Sequence, residues 1–170
     1  MISLPHPALA LLLPFGCAAL LLYAAARDLA SRTIPNRVSL ALIAIGVIIQ
    51  LSDGTLPQAL AAAGAVFVVC AIAWRFALMG GGDVKLLAAL ALCVPPGGVL
   101  SLIASVAFAG GALGIAYLIL RRLQRLPLAP APRRAALPAR VWRTERWRIG
   151  RGSPLPYGIA IAVGGLVTLF

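Results

Sequence analysis

The stretch Ala77-Leu78-Met79-Gly80-Gly81-Gly82-Asp83-Val84-Lys85-Leu86-Leu87 ends one apolar run and starts another. Three consecutive glycines allow a tight turn, and Asp83 follows them at the point where a helix is expected to resume. The chain has only four acidic residues, so a carboxylate at the edge of an apolar segment is unusual here. An ionisable group in a membrane segment is costly and most often functional, which makes Asp83 a candidate site residue.

The composition predicts an all-α, polytopic membrane protein. Of the 170 residues, 62% are hydrophobic and 11% are charged, and the mean hydropathy is +1.00. A water-soluble domain of this size could not bury so much apolar surface. A membrane-spanning helix needs about 20 apolar residues. We therefore expect a single membrane-embedded domain over residues 1–170 with about six transmembrane helices, at residues 8–26, 38–51, 59–78, 84–94, 99–120 and 154–170.

The basic residues orient this six-helix prediction. All fifteen fall in three places that the prediction puts on one side: around residues 27–37, at Arg75 and Lys85, and in a basic loop at residues 121–153. The loops expected on the other side, residues 52–58 and 95–98, contain no Lys or Arg. Because basic residues favour the cytoplasmic side, both termini should face outward, and the 121–153 loop should be cytoplasmic.

The net charge of +11 follows this topology, so we expect no nucleic-acid partner. For the 121–153 loop the sequence leaves two alternatives open. With Trp142 and Trp147 among its arginines, the loop either rests on anionic lipid headgroups or is a plain solvated loop. Asp53 and Glu145 are interpreted as solvated loop charges.

Elimination leaves the carboxylates as the only pair suited to acid–base work. A Ser–Lys dyad with Lys85 stays open as an alternative, although no serine is obviously placed for it. The single histidine is His6, and Cys17, Cys70 and Cys93 lie singly in separate predicted spans, where we expect small buried side chains. A catalytic zinc needs about three close protein ligands, so we expect no metal and no cofactor. Asp28, at the end of the first apolar stretch, is the natural partner of Asp83 on the cytoplasmic side.

Two aspartates held close together cannot both ionise cheaply, so one keeps a proton and the pair can activate water. Helix ends favour a charged Asp83, at the start of a helix, as the base, and Asp28, near the end of a helix, as the acid. Arg27 and Arg32 act against this assignment.

The residues around both aspartates resemble a known family. Gly80-Gly81-Gly82-Asp83 with Lys85 resembles the GxGD element of the prepilin peptidases, which are membrane aspartic proteases. Asp28 followed by Ile34-Pro35-Asn36 is similar to the family's first catalytic aspartate and its Ile-Pro-Asn. Pro156-Tyr157-Gly158 resembles the element that opens the last helix. The resemblance covers nearly the whole chain in the right order.

The resemblance implies an aspartic endopeptidase that removes positively charged leaders from prepilin-like precursors at the cytoplasmic face of a bacterial inner membrane. It implies that Asp28 and Asp83 are catalytic, and that the other residues of these motifs form the substrate and active-site loops: Gly80, Gly82, Lys85, Ile34, Pro35, Asn36, Pro156, Tyr157 and Gly158. For Lys85 an interfacial anchor is favoured over a catalytic role, and Pro35 is expected also to start the second helix.

The chain departs from the larger bifunctional members of that family, since it has no CxxC motif. It is more similar to the small peptidases of Flp/Tad-type pilus systems, which implies a peptidase without methyltransferase activity. Two alternative functions remain. A proton- or ion-coupled transporter would hold its carboxylates near the bilayer midplane. A non-catalytic assembly component of a pilus or secretion system would tolerate the loss of either aspartate.

Overall fold

The computed structural model describes residues 7–123, 137–150 and 155–170. The predictions for the N-terminal six residues, for the middle of the basic loop and for the start of the last span at Pro154 fall outside these residues. Every regular element within the described ranges is helical: α1 Pro7–Ser31, α2 Asn36–Asp53, α3 Leu56–Arg75, α4 Gly81–Ala91, a short 3₁₀ turn Pro96–Gly98, α5 Val99–Leu123, α6 Leu137–Gly150 and α7 Tyr157–Leu169.

Each of the six predicted spans contains a helix, but within the described residues only four helices reach membrane-spanning length. These are Leu12–Ser31, Asn36–Asp53, Leu56–Arg75 and Pro96–Leu123. At 1.5 Å per residue, α4 and α7 are about 17 and 20 Å long, against a hydrocarbon thickness of about 30 Å. The chain is therefore a multi-pass membrane protein, whereas the count of six crossings stays a prediction.

The third predicted span, 59–78, extends three residues beyond the end of the helix that it contains. Helix α3 stops at Arg75, and Ala77 takes a left-handed conformation with φ 56°. The N–H groups of Ala77 and Leu78 donate to the carbonyls of Trp74 and Ala73, at 2.9 and 3.0 Å, which is the Schellman pattern of a helix end. Hydrophobicity alone could not show this end, because the residues beyond it are still apolar.

Helix α4 lies at the centre of the bundle, in contact with α2, α3 and α7. Most of its side chains are buried, and Leu86 and Leu90 are fully enclosed. The outer faces of the long helices instead expose large apolar residues such as Val69 and Phe108, as expected of surfaces that meet lipid. Two of the three cysteines, Cys17 and Cys93, contact each other in the core, and all three are buried and free, as predicted.

The C-terminal end of α4 is stabilised by a buried amide. The Nε2 group of Gln50 donates to the carbonyls of Leu92 and Val94, both at 2.9 Å, and its Oε1 accepts a 2.6 Å bond from the Thr55 hydroxyl. These bonds satisfy carbonyls that a helix end would otherwise leave unpaired in an apolar interior. The short central helix is thereby fixed at the end opposite to Asp83.

Candidate active site

Asp28 lies near the C-terminal end of α1 and is buried. Its carboxyl Oδ2 accepts a 2.9 Å hydrogen bond from the backbone N–H of Gly158, in the first turn of α7. A β-carbon on Gly158 would lie 2.9 Å from both the Cβ and the Oδ2 of Asp28. Only glycine therefore lets the start of α7 approach this carboxylate so closely.

Asp83 is the third residue of α4, and Gly80 is the N-cap of that helix. The backbone of Gly80 is hydrogen-bonded to the Asp83 carboxyl, as a carboxylate at this position reaches back to the N-cap in a capping box. Asp83 is buried, and its Oδ1 accepts no hydrogen bond from any residue that the structure describes. This oxygen is a buried acceptor available to a proton or a water molecule.

The charge of Asp28 acts on the second predicted catalytic aspartate, Asp83. Burial, followed by the negative charge of Asp28, raises the pKa of Asp83 to about 6, while the Gly80 backbone and the positive charge of Arg32 oppose the rise. Asp83 lies at the start of the shorter helix α4, outside the four helices of membrane-spanning length. Both carboxylates thus accept a backbone N–H, and Asp83 keeps one buried oxygen without a donor among the described residues. Two buried carboxylates of this kind are suited to acid–base work.

The Ile-Pro-Asn motif lies against the glycine turn. A β-carbon on Gly82 would lie 3.3 Å from the Cβ of Ile34, so this glycine allows close packing between the two motifs. Pro35 is the N-cap of α2, and Asn36 is its first residue. Lys85 is exposed and its Nζ donates a 3.1 Å bond to Oδ1 of Asn36, which ties α4 to α2 beside the site.

The third motif, Pro156-Tyr157-Gly158, lies at the start of α7. Pro156 is the N-cap and is fully buried, Tyr157 is the first helical residue, and Gly158 makes the contact with Asp28. The Tyr157 ring also approaches Gly110 of α5, where a β-carbon would lie 3.6 Å from the ring. Gly110 therefore serves helix packing.

The interpretation of Glu145 as a solvated charge is wrong. Residues 137–150 of the basic loop form helix α6, and Glu145 is buried on it. Its carboxylate accepts bonds from Arg32, from the Tyr117 hydroxyl at 2.6 Å, and from Arg148 at 3.2 Å. Asp53, by contrast, is exposed as expected. In the sequence of the 121–153 loop, Glu145 is the only acid among ten arginines. This was the one sequence feature that could have indicated a paired, buried carboxylate.

A cavity of about 550 Å³ lies between α2, α3 and α4, beside the contact between Asn36 and Lys85. Asn36 and Lys85 contribute to its lining, and the remainder is mainly apolar, including Leu40, Ile43 and Phe67. In the described ranges there is no group of three or more His, Cys, Asp or Glu residues that could hold a metal ion.

The fold and the site define a class: a multi-pass helical membrane protein with a pair of buried aspartates, each in contact with the first turn of a short helix. The chain belongs to the type IV leader peptidase family, whose model matches residues 15–115. That segment contains both Asp28 and Asp83.

Two curated relatives are similar along nearly the whole chain. Both are named prepilin leader peptidase/N-methyltransferase, from Burkholderia pseudomallei strains 1026b and K96243, and each is 31% identical over 180 residues. The match covers 99% of this chain and 49% of the relatives, so the chain spans about half of their length. No solved structure matches the chain significantly.

Proposed function

We propose that this chain is an aspartic endopeptidase that cleaves the leader peptide from prepilin-like precursors, with Asp28 and Asp83 activating the attacking water. The family membership supports a peptidase. The observation that carries the aspartic mechanism is the pairing of two buried carboxylates. One oxygen of Asp83 is buried and accepts no hydrogen bond from the described residues.

The contacts favour a division of roles opposite to the one that helix ends predict. Asp28 accepts the Gly158 N–H at the positive end of α7, which stabilises its ionised form. Asp83 keeps a buried Oδ1 that accepts no hydrogen bond from any described residue, so we assign the shared proton to this carboxyl group. The helix-end argument considered only the helix that carries each residue, and it missed the N-terminus of α7 beside Asp28.

The proposed reaction follows from these roles. Asp28 takes a proton from water as the water oxygen attacks the scissile carbonyl carbon, and Asp83 gives its proton to the carbonyl oxygen. In the second step the C–N bond breaks, Asp28 gives its proton to the leaving amine, and Asp83 recovers a proton from the intermediate's hydroxyl. The dyad returns to its starting state with one proton on Asp83.

The topology supports cleavage at the cytoplasmic face of a bacterial inner membrane. Contacts of Arg32 and Arg148 bring the basic helix α6 to the end of α1 that carries Asp28. By the positive-inside rule, this arginine-rich end of the molecule should face the cytoplasm. Anionic lipid beside the exposed arginines of this segment, such as Arg143, stays a prediction.

We further propose that these 170 residues act without methyl transfer, although the relatives' name includes an N-methyltransferase. No CxxC motif occurs in the sequence. The short connection between α1 and α2 is already occupied by the Ile-Pro-Asn motif that packs on Gly82.

One experiment tests both statements. The chain is reconstituted with a candidate prepilin and a methyl donor, and mass spectrometry of the product reads cleavage and methylation together. Cleavage should occur and yield an unmodified amine. Asp28→Asn and Asp83→Asn should each lower the rate by at least about 100-fold, because an amide cannot exchange the proton. Asp53→Asn, at an exposed site, should stay near wild type.

The other outcomes are equally decisive. Substantial cleavage by either catalytic-site variant would contradict the aspartic mechanism. A wild-type chain that never cleaves, in a pilus system that still assembles with both aspartates replaced, would favour the assembly component. A gain of one methyl group that depends on this chain would refute the absence of methyl transfer.

A further inference from the structure

The buried acid Glu145 receives donors from three separate parts of the fold. Arg32 follows α1, Tyr117 lies on α5, and Arg148 lies one turn further along α6. Both ion pairs recorded among the described residues end on this carboxylate. A buried carboxylate is costly unless its oxygens are paired, and here both oxygens have partners.

The Glu145 cluster adjoins the paired aspartates. The backbone N–H of Arg32 donates to the carbonyl of Asp28 at 2.8 Å, and Arg148 donates to the carbonyl of Leu29 at 2.9 Å. The charges of Arg32, Glu145 and Arg148 all act on Asp28. The charge of Arg32 also acts on Asp83.

An arginine so close to two carboxylates presents a chemical problem. Its guanidinium stays charged at any working pH and forms strong bidentate pairs with carboxylates. Such a pair on Asp28 or Asp83 would occupy the oxygens that water needs, and it would favour loss of the shared proton. The side chains of Arg32 and Arg148 instead reach Glu145.

We propose that Glu145 is a positioning residue that holds the guanidinium groups of Arg32 and Arg148 beside the two aspartates and prevents them from forming ion pairs there. Helix α6 is thereby a working part of the active site. This inference rests on the proposed aspartic mechanism. The inference assigns a role to helix α6, which lies outside the sequence motifs around Asp28 and Asp83.

The geometry of the α1 end supports a fixed position for these groups. Arg32 has φ 55°, and its bond to the Asp28 carbonyl closes the last turn of α1 in the αL pattern. Arg148 is held at two points, Leu29 and Glu145, so α6 is attached directly to this helix end. Loss of the Glu145 charge would remove the carboxylate to which both guanidinium groups bond, while their positive charges stay beside the dyad.

The test is the pH dependence of prepilin cleavage in Glu145→Gln, with Glu145→Asp as the matched control that keeps the charge. Among the described residues, the charged and titratable groups that face the cluster are Arg32, Tyr117 and Arg148, and those that face the dyad are Arg32, Arg148 and Glu145. Released cations favour ionised carboxylates, so both limbs of the rate profile should move to lower pH by about one unit in Glu145→Gln. Glu145→Asp should keep the wild-type profile.

Two further variants complete the cycle. Arg32→Gln removes a cation near the dyad and should move the profile to higher pH. The double variant Arg32→Gln/Glu145→Gln removes the released charge together with its partner and should return the profile towards wild type. If Glu145→Gln folds poorly, Arg32→Gln alone decides the question, because an unshifted profile there would show that this cation does not act on the dyad.

A merely structural role predicts a different pattern, in which the rate falls by the same factor at every pH. That pattern, or an unshifted profile in both Glu145→Gln and Arg32→Gln, would overturn the inference. It would leave the aspartic mechanism intact as long as Asp28→Asn and Asp83→Asn remain inactive. Full activity of those two variants would instead refute the mechanism itself.

Discussion

We expect Asp83 to lower the free energy of unfolding, although the proposed reaction requires this residue. Its pKa is raised from 3.8 to about 6, so folding holds a carboxylate in a place that disfavours its charge. Above pH 6 the ionised group opposes folding by up to about 3 kcal/mol, since each pKa unit corresponds to about 1.4 kcal/mol. Below pH 4 the group is protonated in both states, and the effect disappears.

Asp83→Asn should therefore raise the melting temperature in detergent at pH 8 while it abolishes cleavage. The gain should shrink as the pH falls from 6 to 4, because the folded wild type then binds the proton that relieves its penalty. Thermal unfolding at pH 8, 6 and 4 measures this, with Asp53→Asn as the exposed control. A gain at pH 4 as large as that at pH 8 would contradict the shifted pKa.

Single residues were predictable where a motif marks them and unpredictable where their partners are distant in sequence. Asp28 and Asp83 stand out because charge is rare in apolar segments and because both belong to recognisable motifs. Glu145 makes its contacts with Arg32 and Tyr117, 113 and 28 residues away. No local pattern reports such a pairing, so a polar neighbourhood was read as solvated.

At the scale of the elements, the two short helices are those that contact the aspartates. Helix α4 begins beside Asp83, and α7 begins at the hydrogen bond to Asp28. Their N-terminal amides and dipoles are directed at carboxylates, which is where a helix terminus interacts most favourably with negative charge. Apolar length predicted that these helices exist, but their meeting point depends on packing between α1, α4 and α7.

The contact between α7 and α1 is tested by Gly158→Ala. The added methyl group would fall 2.9 Å from Asp28 atoms, so either the carboxylate or α7 must move. Displacements of about 1 Å at a catalytic group can cost about 100-fold in rate, and we expect a loss of kcat/KM of this order. Gly111→Ala is the matched control, because a β-carbon there meets nothing within 4 Å.

The control also separates packing from helix propensity. Alanine is favoured over glycine in a helix by about 1 kcal/mol, so Gly111→Ala should keep its activity and its melting temperature or gain slightly in stability. Gly158→Ala with wild-type activity would show that the Gly158 N–H does not position Asp28.

At the scale of the whole molecule, the bundle has two chemically different ends. One end gathers Asp28, Asp83 and the arginines of α6, and the other contains Gln50, Thr55 and the end of α4. The one-sided placement of basic residues was readable from the sequence, because it depends only on their order along the chain. The attachment of α6 to the end of α1 was not, because α6 is polar and carries no apolar-span signal.

This arrangement predicts the orientation of the chain in the membrane. The test uses a cysteine-free background, in which Cys17, Cys70 and Cys93 are replaced by alanine, with single cysteines at positions 53 and 143. Both positions are exposed, on α2 and α6, and the positive-inside rule puts them on opposite sides of the bilayer. A membrane-impermeant maleimide should label Asp53→Cys in intact spheroplasts and Arg143→Cys only after permeabilisation.

Because α6 is attached to the α1 end beside Asp28, labelling at position 143 also reports the side on which the site opens. Labelling of position 143 from outside would place the paired aspartates away from the cytoplasm and would contradict cleavage at that face.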